Sequence, residues 1–79
     1  MTSFNVILFD GFETLDAFGP VEVIGHLKDL YKLGFYSLNG GVIESIHTVK
    51  VHTLPFADID TAGILFIPGG VGVRKLVAW

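Results

Sequence analysis

Two short runs of apolar residues lie near opposite ends of the chain. The first covers residues 4–9 and ends at Asp10-Gly11, and the second covers residues 64–67 and ends at Pro68-Gly69-Gly70. Residues 6–9 and 64–67 do not alternate with polar residues, a pattern typical of parallel strands that are covered on both faces. Each run breaks into glycine, which is typical of a tight turn after a strand. The pattern therefore predicts two buried strands of a parallel sheet.

Between these runs, apolar residues recur at the spacing of an amphipathic helix. The apolar set is Val23, Ile24, Leu27, Leu30 and Tyr31, and the polar set opposite is Glu22, His26, Asp29 and Lys32. Gly34 follows the last apolar position, where a glycine that ends a helix belongs. Pro20 fits the first turn of a helix or a kink. We expect a helix over residues 15–33, with a break at Gly19-Pro20 left open.

The remaining segments predict short strands and turns. We expect a second strand over residues 35–38, a turn at 39–41 leading into 42–45, and a short exposed strand over 49–52. Residues 54–63 are expected to form a surface connection, and residues from 71 onward a loop that opens another helix. A strand, a helix and a strand at this spacing predict a right-handed crossover. The expected fold class is α/β, with a mainly parallel sheet whose second face needs helices from further chain or from a partner.

Composition supports the idea that this is part of a larger core. The chain has 79 residues, of which 51% are apolar and only 16% charged, and its mean hydropathy is +0.62. A self-sufficient domain of this size needs more polar residues to cover its surface. The net charge of −3 gives no basic surface for nucleic acid. No apolar stretch reaches membrane-spanning length, and the start lacks the basic residues of a signal peptide, so we expect a cytoplasmic protein without membrane contact.

The predicted topology places chemically useful groups at one edge of the sheet. Parallel strands end at the same edge, so the loop over residues 10–15 and the turn over 68–72 are expected side by side, with Asp16 just behind the loop. There, glycine amides can bind a developing oxyanion and a carboxylate can shuttle a proton. A plainer alternative stays open, because an acidic residue is common in the first turn of a helix. Likewise, Pro-Gly-Gly can serve only to turn the chain.

Other polar residues predict no cofactor or metal site. Residues 70–75 lack the third glycine of a dinucleotide-binding loop and the Ser or Thr of a phosphate-binding loop. His26, His47 and His52 share no metal-ligand spacing, so we interpret them as exposed or hydrogen-bonded histidines. Glu13 is interpreted as a helix-start acid and Glu22 as part of a solvated helix face. The sequence contains no cysteine, which excludes a disulfide framework within it.

Two motifs resemble a known family. Residues 9–23 (FDGFETLDAFGPVEV) resemble the first strand and helix of the ThiJ/PfpI superfamily. The pattern Leu-Asp-x-x-Gly-Pro-x-Glu-Val is similar to its isonitrile hydratase branch and to the amidase-like domains of some AraC-type regulators. Residues 68–73 (PGGVGV) resemble the Pro-Gly-Gly-x-Gly of the same branch, and residues 40–42 and 56–58 fit its hairpin and the loop after it. The resemblance spans nearly the whole chain.

The resemblance implies a flavodoxin-like three-layer sandwich of the class I glutamine amidotransferase-like type, usually dimeric. Its chemistry centres on a cysteine at a strained elbow between a strand and a helix. Asp16 would hydrogen-bond this thiol and hold it as a thiolate. The amide of Gly70 would form half of an oxyanion hole, and Gly69 and Gly72 would line the binding site. The elbow lies beyond Trp79 in the family, so residues 1–79 are expected to be the N-terminal part of one domain and to be inactive alone.

The resemblance therefore leads us to expect a cysteine-dependent hydratase or amidase that acts on a small molecule, as a homodimer. Two alternatives stay open. The chain can belong to the ligand-sensing half of a transcription regulator whose pocket is catalytically idle, or it can be a fragment without a function of its own. A downstream helix-turn-helix segment would favour the regulator, and a cysteine at the elbow would favour the enzyme.

Overall fold

A computed structural model describes residues 1–69. The order strand, helix, strand, hairpin, strand is confirmed. The elements are β1 (Thr2–Ile7), α1 (Thr14–Gly25), β2 (Tyr31–Ser37), β3 (Asn39–Glu44), β4 (Lys50–Pro55), a single 3-10 turn (Phe56–Asp58) and β5 (Ile64–Phe66).

The strands form one five-stranded sheet in the order β3-β4-β2-β1-β5. β1 pairs in parallel with β2 on one side and with β5 on the other. β4 is also parallel to β2, and β3 and β4 form an antiparallel hairpin. The predicted mainly parallel sheet is confirmed. Because β1, β2 and β5 run in the same direction, their carboxyl ends lie at one edge of the sheet.

α1 packs on one face of the sheet and encloses the core. The buried cluster is Phe4, Val6, Leu8, Phe9, Phe12 and Ala17. Its centre is aromatic: the ring of Phe4 contacts Tyr31 edge-on at a centroid distance of 6.2 Å, and the ring of Phe12 contacts Phe18 at 6.0 Å. Phe18, Val21 and Ile24 bring the inner side of α1 against this cluster. Burial of these side chains holds helix and sheet together.

The predicted extent of the helix is wrong at its C-terminal end. α1 ends at Gly25 rather than at residue 33, and its last turn is tightened by a bond from the Leu27 N–H to the Ile24 carbonyl. Tyr31 and Leu33 pack into the core as alternate residues of β2. Gly34 is therefore not a helix end but a strand residue, and a Cβ there would lie 2.7 Å from the Tyr36 ring. The break left open at Gly19-Pro20 does not occur, since α1 runs through both residues.

Strand boundaries also differ from the prediction. β1 covers residues 2–7 rather than 4–9, and β2 begins four residues before the expected residue 35. The turn expected at residues 39–41 is instead the start of β3, in which Gly40 and Gly41 have φ values of 73° and 82°. The turn between β3 and β4 lies at residues 45–49, where the Ser45 N–H donates to the Val49 carbonyl. β4 extends to Pro55, into the segment predicted as a surface connection.

The second face of the sheet carries exposed apolar side chains. Leu65 pairs with Asn5, and Leu54 pairs with Tyr36, so both leucines point away from the face that α1 covers. Leu54 is 52% exposed and Leu65 is 55% exposed. Asn5 is buried on this face, where its Nδ2 donates to the carbonyls of Asp60 and Ile64. Within residues 1–69, no helix covers these leucines.

No helix among the described residues is long and apolar enough to cross a membrane.

The uncovered face predicts that the 79-residue chain does not unfold cooperatively when it is expressed alone. Its exposed leucines stay in water. A chain of this size without a disulfide or a structural metal rarely gains more than about 3–5 kcal/mol of unfolding free energy from its core. Urea denaturation followed by circular dichroism and by binding of a hydrophobic dye measures this, with the full-length protein as the control. A single cooperative transition from a soluble, dye-free monomer would contradict the prediction.

Candidate functional site

The loop after β1 and the turn after β5 are adjacent, as the strand directions predict. The backbone N–H of Glu13, which stands immediately before α1, donates a hydrogen bond of 2.8 Å to the carbonyl of Gly69. Pro68 is fully buried beside this bond. The turn after β5 is thus joined to the start of α1 by a backbone hydrogen bond.

Asp16 lies in the first turn of α1, on the same side as this junction. A Cβ added to Gly69 would lie 3.0 Å from Asp16 Oδ2, so the carboxylate stands beside the space that the missing Cβ of Gly69 leaves open. The side chain of Asp16 is exposed. The N-terminus of a helix favours a charged carboxylate at this position, because the first N–H groups carry partial positive charge.

Asp16 and Gly69 share an open cleft of about 360 Å³. Apolar residues form the rest of its described lining: Leu15, Pro20, Phe66, Ile67 and Pro68. Asp16 supplies the charged side chain of this lining. A carboxylate at the rim of an apolar cleft can accept a proton from a bound group or donate one to it, provided that the ligand displaces water from the cleft.

The structure places the other predicted residues as follows. Gly70 and Gly72 lie outside the described residues. His26 pairs with Glu22 on the exposed side of α1 at 2.8 Å, and His52 is exposed on β4. His47 lies in the hairpin turn, where its Nδ1 is 3.2 Å from Thr14 Oγ1. Within residues 1–69, no group of three or more His, Asp or Glu side chains lies close enough to hold a metal ion.

Two features of this edge were missed by sequence reasoning. The first is the Glu13 N–H: the sequence marks Glu13 as a helix-start acid, but its backbone makes the contact with Gly69. The second is a polar link in which Thr14 Oγ1 donates to Ser45 Oγ at 2.8 Å and joins the hairpin turn to the start of α1. Neither contact leaves a signal in the sequence, because both join residues that are far apart along the chain.

Comparison with known proteins identifies the fold. No protein-family model matches the chain, and no curated protein matches it. Solved structures do match, and two of them are a DJ-1 superfamily protein of Agrobacterium tumefaciens and DJ-1beta of Drosophila melanogaster. The first has a TM-score of 0.72 at 21% identity, and the second has a TM-score of 0.77 at 23% identity. Each match covers 95% of this chain and 41% of the solved chain.

An AraC family transcriptional regulator of Pseudomonas putida also matches, with a TM-score of 0.75 at 16% identity over 90% of this chain and 48% of that one. The chain therefore spans less than half the length of each of these structures. At these identities the likeness shows the fold: residues 1–69 have the flavodoxin-like α/β architecture of the N-terminal portion of DJ-1/ThiJ/PfpI domains.

The bond between Glu13 and Gly69 predicts a specific effect of proline at position 13. Glu13 has a φ of −71°, which proline adopts without strain, so Glu13→Pro deletes the N–H and keeps the backbone conformation. We expect Glu13→Pro to be about 0.5–1.5 kcal/mol less stable than Glu13→Ala, which lacks the same side chain but keeps the donor. Urea denaturation of both variants in the full-length protein measures the difference. Equal stability would show that the bond contributes nothing.

Proposed function

We propose that this chain forms the N-terminal part of a DJ-1/ThiJ/PfpI-type domain and supplies half of a cysteine-based site that acts on a small molecule. The observation that carries the proposal is that Asp16 and Gly69 line one cleft at the carboxyl edge of parallel strands. Ligands bind at this edge in open α/β sheets. The sequence has no cysteine, so the nucleophile in this proposal comes from a later segment of the same domain.

In the proposed reaction, Asp16 and the cysteine share one proton. Asp16 takes the thiol proton and then hydrogen-bonds the resulting thiolate, which attacks an electrophilic carbon of the substrate. A carbon–sulfur bond forms, one bond of the substrate's carbon–heteroatom multiple bond breaks, and the electron pair moves to the heteroatom. The N–H of Gly70 would stabilise this negative charge, with Gly69 and Gly72 beside the substrate, and Asp16 would return the proton. Hydratases and amidases both use such an addition.

The alternative proposal is a ligand-sensing domain of a transcription regulator. It is supported by the match to the AraC family regulator, which has the same fold over 90% of this chain. In that case the apolar cleft beside Asp16 would bind a small molecule without changing it. The two proposals differ in whether a cysteine faces Asp16 in the complete domain and reacts as a thiolate.

We further propose that the protein is a homodimer through the outer side of α1. Leu15 and Val23 of α1 are 78% and 64% exposed, and Leu27, two residues past its end, is 40% exposed; with Gly19 they recur at intervals of four residues. Among the described residues, a Cβ at Gly19 would contact only Leu15 Cδ1, at 4.0 Å, so the surface is open to a second helix there. In a three-layer sandwich this side of the helix faces outward, so further chain of the same domain leaves it free for a second copy.

The cytoplasm suits the proposed thiolate chemistry, because cytosolic thiols are kept reduced.

The acid–thiolate pair predicts the effect of removing Asp16. In the full-length protein, Asp16→Ala is expected to raise the pKa of the cysteine thiol and to slow its alkylation by iodoacetamide, by about tenfold for each unit by which that pKa rises above the assay pH. Asp16→Glu is expected to be milder, because it keeps the acid but displaces it by one methylene. Alkylation rates are measured across pH, with the melting temperature as the control for folding. Identical rate–pH profiles for wild type and Asp16→Ala would rule out this role.

The proposed dimer predicts that a charge on the outer side of α1 separates the two copies. Val23→Asp would bury an unpaired carboxylate in the interface and is expected to give monomers. The matched control is Leu30→Asp, which changes a residue that is similarly exposed (60%) but lies beyond the end of α1. Sedimentation velocity of the full-length variants measures the association state. A dimer that both variants leave intact would contradict this interface.

A further inference from the structure

The side chain of Asp16 is exposed, so its direction is not fixed by burial. Within residues 1–69, it makes no hydrogen bond to protein groups. An aspartate with an unbonded carboxylate in the first turn of a helix would ordinarily sample more than one rotamer. One of its oxygens, Oδ2, lies next to the space that a Cβ on Gly69 would fill.

The backbone at position 69 does not itself require glycine. Its φ lies outside the left-handed range in which side chains are strained, unlike those of Gly11, Gly40 and Gly41. Among the described residues, the atom within 4 Å of a Cβ built on Gly69 is Asp16 Oδ2, at 3.0 Å. Real Cβ atoms are rarely this close to a neighbour, so a side chain at position 69 would push the carboxylate away. The group that a Cβ at this position would displace is therefore the end of the Asp16 side chain.

The backbone of Gly69 is held in place by the start of α1. The Gly69 carbonyl accepts the Glu13 N–H at 2.8 Å, and the preceding Pro68 is fully buried. Glu13 stands at the start of α1 and Asp16 in its first turn, so the same helix start fixes both the backbone of Gly69 and the base of the Asp16 side chain. If a Cβ were added at position 69, the carboxylate would have to move, because the turn is tied to the helix.

We propose that Gly69 is a positioning residue for Asp16, and that its missing Cβ sets how far the carboxylate reaches into the cleft. This inference rests on the proposed function, in which Asp16 shares a proton with a cysteine thiol. A hydrogen bond to a charged group tolerates a change of only a few tenths of an ångström in the donor–acceptor distance. A carboxylate that an added methyl group pushes aside would therefore no longer hydrogen-bond the thiolate. Gly69 then acts on the chemistry only through Asp16.

Crystal structures of the full-length wild type and of Gly69→Ala test the positioning directly. The matched control is Gly25→Ala, which adds the same methyl group to the last residue of α1, where the nearest atom would be Leu33 Cδ1 at an ordinary contact distance of 3.5 Å. We expect Asp16 to change its χ1 or χ2 angle in Gly69→Ala and to keep its wild-type conformation in Gly25→Ala. An unmoved Asp16 carboxylate in Gly69→Ala would overturn the inference. A wild-type Asp16 found in several rotamers would also overturn it, even where Gly69→Ala does not fold.

Iodoacetamide alkylation separates this inference from the proposed function. If both hold, Gly69→Ala slows alkylation at neutral pH towards the rate of Asp16→Asn. Gly69→Ala then has no further effect in the Asp16→Asn background, and Gly25→Ala keeps the wild-type rate. If Asp16→Asn slows alkylation and Gly69→Ala does not, the positioning role fails and the proposed function stands. If Asp16 moves in the Gly69→Ala crystal but neither Gly69→Ala nor Asp16→Asn changes the alkylation rate, the proposed function fails. The position of the Asp16 carboxylate then has no effect on the reactivity of the thiol.

Discussion

The parallel pairing of β1 on both of its sides is the constraint on which the described structure depends. β1 lies between β2 and β5, and its residues from Phe4 to Ile7 are buried. Because both pairings are parallel, each neighbour must return to the start of β1 before it can pair, and α1 makes the first of these returns. The same geometry brings the segments after β1 and β5 to one edge. The cleft therefore follows from how the core is built.

At that edge, the backbone of the turn after β5 is held in place, whereas the Asp16 side chain has no hydrogen-bond partner among the described residues. The Glu13 N–H and the buried Pro68 secure the turn after β5, while the Asp16 carboxylate beside them makes no bond to the described residues. The buried polar side chains in this part of the chain are hydrogen-bonded: Asn5 donates to two carbonyls, and the Ser37 and Thr53 hydroxyls are 2.6 Å apart. Only a group whose hydrogen-bonding capacity is not used by the fold can be used by a ligand. Asp16 differs from these buried residues in this respect.

The sequence predicted the sheet and its edge better than it predicted the limits of the elements. The two apolar runs were correctly interpreted as parallel strands, but the expectation that both are buried holds only for the first, since Ile64 and Leu65 of β5 are 41% and 55% exposed. The helix was extended to residue 33 because Leu30 and Tyr31 fit the helical period and Gly34 fits a helix end, but Tyr31 and Leu33 pack as alternate residues of β2. Gly40 and Gly41 have the composition of a turn but lie within β3, whereas the hairpin turn between β3 and β4 contains Thr48 at a φ of 67°, which composition does not mark.

For the site, strand direction alone placed Asp16 next to the turn at 68–69, because that argument needs only topology. The sequence could not indicate that the Glu13 N–H makes the connection, since every residue except proline carries the same group. It also could not distinguish a glycine needed for its φ from a glycine needed for space. The sequence does not distinguish Gly41 from Gly69. In the structure, Gly41 has a φ of 82° with open space around it, whereas a Cβ added to Gly69 would meet the Asp16 carboxylate.

The late pairing of β5 has a consequence for synthesis on the ribosome. β2 follows β1 after one helix, but residues 8–63 must all be made before β5 can cover the other side of β1. At about 5–20 residues per second, that side stays unpaired for several seconds as the chain emerges. Its row of free N–H and C=O groups is a template for pairing with another nascent chain. Translation speed and chaperone access during this interval are therefore expected to affect the yield of native protein more than changes at the cleft do.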